Sequence, residues 1–201
     1  MAYASWVTPN KVSGSGNDTV SWTGSAHTGR NSRTTTATFA ASGVESKTLT
    51  IVQAGKTEFV DMDDTAAVSK SGGTVTISGT SNSSKLTFTL TGSNNIGLVL
   101  PASYTANSVT TTNGAAITGD PGATQQYTFT ITFTGIDENT SVNALTSQLT
   151  VTDNAGNTDT CTITQAAGDA YLTISPSTIT IPAAGTAQSV SVSSNTSWTI
   201  S

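Results

Sequence analysis

The sequence predicts an all-β protein built of tandem sandwich modules, and three observations lead there. Thr and Ser supply 69 of the 201 residues while only 9% of residues are charged, a composition that disfavours long helices and suits pleated strands. Apolar residues alternate with Thr in short runs, and clusters of Gly, Asn, Asp and Ser separate those runs. No stretch of 11 or more residues carries a helical apolar stripe.

The strands follow in order along the chain. Arg33–Ala40 and Thr48–Gln53 flank Ser42-Gly43-Val44-Glu45-Ser46 and read as a hairpin, with Leu49 and Ile51 on one face. Val75 and Ile77 alternate after a turn at Ser71-Gly72-Gly73. Leu86, Phe88 and Leu90 alternate with Thr up to a turn expected at Thr91-Gly92-Ser93-Asn94-Asn95, and a further turn falls at Gly119-Asp120-Pro121-Gly122. Tyr127-Thr-Phe129-Thr-Ile131-Thr-Phe133-Thr134 sets one aromatic and aliphatic face against one face of Thr, the pattern of a half-buried antiparallel strand. Gln148–Gln165 reads as a second hairpin around Asp153-Asn-Ala-Gly-Asn157, where Asp and Asn serve the backbone through their own side chains. Short strands at this spacing predict β-sandwiches of immunoglobulin-like type. The expected core is Val75, Ile77, Leu86, Phe88, Leu90, Phe129, Ile131, Leu149, Val151 and Ile163.

Charge and termini bound the partners. Seven cations against twelve acids leave a formal charge of −5, which argues against a phosphate-tracking surface and so against nucleic acid. No apolar run approaches the roughly 18 residues of a membrane span. Met1-Ala-Tyr-Ala-Ser-Trp-Val-Thr-Pro has neither the basic nor the apolar region of a secretory signal, so Met1 is read as a natural start. Cys161, the single cysteine, shares a strand face with Ile163 and is expected to be a small buried hydrophobe.

The sequence also repeats itself. At an offset of 112 residues Ile51 matches Ile163, Gln53 matches Gln165, Ala54 matches Ala166, Phe59 matches Tyr171, and Gly73-Thr74 matches Gly185-Thr186. The repeat divides the chain into residues 1–55, a long central unit at 56–168, and residues 169–201. The third piece runs Tyr171-Leu-Thr-Ile-Ser-Pro-Ser-Thr-Ile-Thr-Ile181, passes Ala184-Gly185-Thr186, and ends Val190-Ser-Val-Ser-Ser-Asn195-Thr-Ser-Trp198-Thr-Ile200. It resembles the opening strands of the BACON family, an immunoglobulin-like sandwich module marked by a Ser-Asn-x-x-Trp-x-Ile strand. Ser5-Trp6-Val7-Thr8 matches Ser197-Trp198-Thr199-Ile200, and Leu49-Thr-Ile51-Val-Gln53-Ala-Gly55 is similar to that family's closing strand. The central unit departs from the family pattern: Lys85 or Leu86 stands where Trp is expected, and residues 91–125 form a long insertion. The first piece thus looks like the back half of a module and the third like the front half.

No constellation of catalytic residues assembles. His27 stands alone in a polar loop without an acid–base partner nearby, and no nucleophile elbow, phosphate loop or dinucleotide fingerprint occurs. Asp61-Met62-Asp63-Asp64 lacks the Gly and terminal Glu of a calcium loop and reads as a solvated linker. No enzyme, cofactor or metal is expected. Trp6 and Trp198 read as strand residues packed in cores, leaving Trp22 as the candidate for stacking on a glycan, the ligand class that the family resemblance implies.

Two functions compete. One is a structural virion protein of a tailed bacteriophage: a capsid auxiliary or decoration, head-fibre or tail component whose modules mediate subunit assembly and adhesion to host or mucosal glycans. The other is a secreted or cell-surface carbohydrate-binding accessory module of a gut bacterium. The missing signal segment favours the virion as location. The split repeat adds an expectation about assembly, in which the C-terminal strands complete the N-terminal module by strand addition, within one chain or between neighbouring subunits. The donor residues would be Leu172, Ile174, Ile179, Ile181, Val190, Val192, Trp198 and Ile200.

Overall fold

Alternation of Thr with apolar residues makes the chain pleat, and the computed structural model, which describes residues 3–201, holds fifteen strands and no helix. Met1 lies outside the described residues. The first piece contributes β1 (Val7–Pro9), β2 (Trp22–Gly24), β3 (Arg33–Phe39) and β4 (Lys47–Gln53). The central unit contributes β5 (Val60–Met62), β6 (Thr65–Val68), β7 (Gly73–Ser81), β8 (Leu86–Asn94), β9 (Ser103–Ala106), β10 (Val109–Thr112), β11 (Tyr127–Ile136), β12 (Leu145–Asp153) and β13 (Thr158–Gln165). The third piece holds β14 (Leu172–Ser175) and β15 (Ser191–Ser194).

The central unit is a β-sandwich. A five-stranded sheet in the order β10-β9-β11-β7-β5 faces a four-stranded sheet in the order β6-β13-β12-β8. Every pairing is antiparallel except β13 with β6. The alternating face of β11 puts Tyr127, Phe129, Ile131 and Phe133 inside, each at most 4% exposed. They share one core with Phe88, Leu149, Val151, Cys161 and Ile163 of the opposite sheet. Phe88 meets Tyr104 and Phe129 edge-on, at centroid distances of 4.9 and 5.7 Å. Nine of the ten expected core residues are buried, and Leu90 packs on the cluster half-buried.

Three expectations within this unit need correction. The turn placed at 91–95 is strand: β8 runs to Asn94, and its register with β12 slips between Thr91 and Asn94, so Gly92 and Ser93 form a bulge. The insertion at 91–125 is part of the sandwich, because β9 joins β11 at the sheet edge and Ile96, Leu98, Tyr104, Ala106 and Ile117 enter the core. Asp61–Asp64 is not a linker. Val60–Met62 is an edge strand of one sheet, residues 65–68 belong to the other, and the acids mark the crossing. There the Ser78 N–H donates to Asp63 Oδ2 at 2.8 Å, and the Met62 N–H donates to Asp159 Oδ2 at 2.6 Å.

The flanking pieces are built differently. Residues 3–55 form two separate two-stranded sheets, β1–β2 and β3–β4, and only Val7 and Ala37 are buried apolar residues there. Residues 169–201 form the β14–β15 hairpin and bury none. The two pieces sit at opposite ends of the sandwich. The first is bonded beside the Ser81 end of β7, where Arg30 reaches the Asn82 carbonyl. The third is bonded beyond the Gly73 end, where Lys70 pairs with Asp169 and Asn195 Nδ2 donates to the Thr140 carbonyl. Nine residues of β7 lie between them, roughly 26 Å at the rise of a strand.

Both junctions are tight. A Cβ at Gly55 would stand 1.8 Å from the Arg30 carbonyl oxygen, and one at Gly168 would stand 2.3 Å from that of Asn139. The repeat has a structural counterpart as well, since the matched glutamines do the same job. Gln53 Nε2 donates to the Ser25 carbonyl at 2.9 Å, and Gln165 Nε2 donates to that of Asp137 at 2.7 Å.

Candidate functional site

Seven of the eight predicted donor residues are exposed, and only some of the eight lie in strands. Leu172 and Ile174 sit on β14, and Ile174 pairs across the ladder with Val192 of β15. Pleating therefore puts these three on one face. Leu172 and Ile174 are 57% and 54% exposed, and Val192 is half-buried. Ile179 and Ile181 lie in irregular chain, which corrects the strand expected there. Pro176 and Pro182 have no N–H to give a ladder. Val190 immediately precedes β15, and Ile200 is exposed.

The tryptophans also depart from expectation. Trp198 is 48% exposed and outside any strand, because no second sheet covers the third piece. Trp6 lies in the turn before β1 rather than in a strand. It is half-buried, with the Arg33 guanidinium 4.6 Å from its ring centroid. Arg33 is positioned there by Gln53, whose Oε1 accepts from its Nε at 2.9 Å.

Trp22 lies in a groove of about 510 Å³ between the β1–β2 ribbon and the β3–β4 hairpin. Its ring meets Tyr3 at right angles, 5.2 Å between centroids. Val12, Val20 and Phe39 supply further apolar lining, and the Lys11–Asp18 ion pair sits at the rim. The inward face of β3–β4 carries Thr35, Ala37, Phe39, Lys47, Leu49 and Ile51. The ribbon covers it at one end, where the Ala4 N–H donates to Thr35 Oγ1 at 2.9 Å. At the other end Phe39 and Leu49 remain 46% and 37% exposed. The strand expected at Leu49–Ile51 is part of β4, with Ile51 half-buried and Leu49 exposed.

A third cluster joins the first piece to the sandwich. Arg30 Nη1 and Nη2 donate to Asp120 Oδ2 and Oδ1 at 2.7 and 2.8 Å, the fork-to-fork geometry that suits a carboxylate. Arg30 Nε lies 2.9 Å from Glu58 Oε1, and Nη2 donates to the Asn82 carbonyl at 2.6 Å. The Glu58 side chain is only 4% exposed, and its second oxygen accepts from Ser83 Oγ at 2.6 Å. Burial alone would raise the Asp120 carboxyl. The Arg30 bonds, the Gly122 N–H and the Arg30 charge outweigh burial and hold it below its ordinary value. The Asp120 bond in turn raises Arg30. No pattern at single positions announces this cluster, because its members lie 28 to 90 residues from Arg30 in the chain.

The remaining candidates have structural partners. His27 Nε2 bonds the Asn31 carbonyl within its own loop. Cys161 is buried, and burial, with the nearby carboxylates Asp63, Asp159 and Asp64, pushes its thiol up to about 11. Asp153 Oδ1 accepts from the N–H groups of Ala155 and Asn157, closing the hairpin turn as the sequence predicts. Among the described residues no helix is long and apolar enough to cross a membrane. No protein-family model matches the chain, and no curated protein sequence matches it.

Proposed function

We propose that this chain is a non-enzymatic structural component of a bacteriophage virion, a capsid auxiliary, head-fibre or tail protein. In this reading the sandwich is a rigid spacer and the flanking pieces make contacts between subunits. One observation carries it: the third piece exposes Leu172, Ile174, Ile181, Trp198 and Ile200 to water beside a sandwich that has a core of its own. Exposed apolar surface of this extent marks interaction sites in folded proteins. Mass spectrometry of purified particles tests the reading. The chain is expected there in stoichiometric amount, and its absence from washed particles would overturn it.

The Trp22 groove favours a second reading, adhesion to a host or mucosal glycan. An aromatic wall with a polar rim suits a sugar ring, which offers an apolar face and hydroxyl edges. Titration with oligosaccharides, followed by tryptophan fluorescence, is expected to saturate for the native chain and to fail for Trp22→Ala. An unchanged response in Trp22→Ala would overturn this second reading.

A further inference from the structure

We propose that the apolar face of the β14–β15 hairpin seats on the Trp22 groove of a second copy, joining subunits head to tail. The inference rests on the assembly reading above and names the partner, the two faces and the symmetry. Each face lacks a cover within the chain: Leu172 and Ile174 on one side, Val12 and Phe39 of the groove on the other. They stand at opposite ends of β7, so one copy cannot bring its own hairpin to its own groove while both junctions hold. A second copy can.

Area points the same way. The chain exposes 12351 Å², against about 8,800 Å² for a compact monomer of its 20.3 kDa mass. The excess, about 3,500 Å², exceeds the roughly 1,600 Å² total that a standard stable interface buries. The duplicated Ser-Trp raises no conflict, because Trp6 stacks with Arg33 at the covered end of the module while the groove opens at the Phe39 end.

A contact between unlike faces is heterologous, so it closes a ring or continues as a filament. That property supplies the test. Leu172→Asp/Ile174→Asp disables the donor face, and Val12→Asp/Phe39→Asp disables the acceptor face. In sedimentation at tens of micromolar the native chain is expected to form oligomers larger than a dimer. Each variant alone is expected to be monomeric, and an equimolar mixture to give dimers only, since one competent donor meets one competent acceptor. Tryptophan fluorescence checks folding of the appendages, because Trp22 and Trp198 lie in them, and far-UV circular dichroism checks the sandwich. Amide exchange supplies a second readout that needs no variant: residues 172–175 and 191–194 should gain protection at least tenfold as the native chain is concentrated. A monomeric native chain without such protection would overturn the proposal. Oligomers whose two variants fail to complement would also overturn it, while leaving the assembly reading standing. Absence from particles, measured separately, would fell that reading instead.

Discussion

Two buried tyrosines in the same core face opposite energetic situations. The Tyr127 hydroxyl donates to the Ser83 carbonyl at 2.8 Å, so its burial is compensated. The Tyr104 hydroxyl is buried without a hydrogen-bond partner, and burial pushes its pKa up to about 12. Its cross-strand neighbour Thr111 buries a second hydroxyl without a partner. A buried polar group with no partner keeps its desolvation penalty, whereas a paired one contributes about 1 kcal/mol net. Tyr127→Phe should therefore cost about 1–2 kcal/mol in urea unfolding. Tyr104→Phe and Thr111→Val should each be neutral or stabilise by up to about 1 kcal/mol. Equal losses at Tyr104 and Tyr127 would contradict this assignment. Phe129, 1% exposed and edge-on to Phe88, sets the scale: Phe129→Ala should cost about 3–5 kcal/mol through lost transfer energy and the cavity left behind.

Among the elements, the junction between the first piece and the sandwich has the most to lose from one change. Glu58 is buried, so Arg30→Met leaves a carboxylate without its cation, and breaking such a pair costs on the order of 3–5 kcal/mol. Gly55→Ala should loosen the same junction by pushing on the Arg30 carbonyl. Acid should do so too. Asp120 has a folded-state pKa below its unfolded value of about 3.9, so its contribution is present above that pH and fades as pH falls through the folded value. Protease nicking in residues 1–55 is expected to rise below about pH 4 in the native chain. In Asp120→Asn it should be raised at neutral pH, with less of the acid dependence. The strands of the sandwich were legible from alternation, since β8, β11, β12 and β13 each set Thr against an apolar face. The β9–β10 ribbon was not, because Ser103–Thr112 turns only Tyr104, Ala106 and the polar Thr111 inward and otherwise reads as polar loop. The Arg30 cluster and the open groove were illegible for another reason. Both depend on which elements lie next to each other, and on which cover is missing.

At the scale of the whole molecule, one packed unit carries two appendages whose stability has a different source. The sandwich holds nearly all the buried apolar residues, whereas residues 3–55 bury two and residues 169–201 none. A two-stranded hairpin without cover is marginal in water, so the appendages should melt before the sandwich. The chain carries its own probes for this: all three tryptophans, Trp6, Trp22 and Trp198, lie outside residues 56–168. Tryptophan fluorescence therefore reads the appendages, while far-UV circular dichroism is dominated by the strands of the sandwich. Coincident transitions by different probes are the mark of a single cooperative unit. At dilute concentration the fluorescence midpoint should fall at lower urea than the dichroism midpoint. Raising the concentration should shift the fluorescence midpoint upward and leave the other nearly fixed, because a partner that binds only the folded appendages stabilises them by mass action. Coincident, concentration-independent midpoints would mean that the appendages and the sandwich fold as one unit and need no second copy.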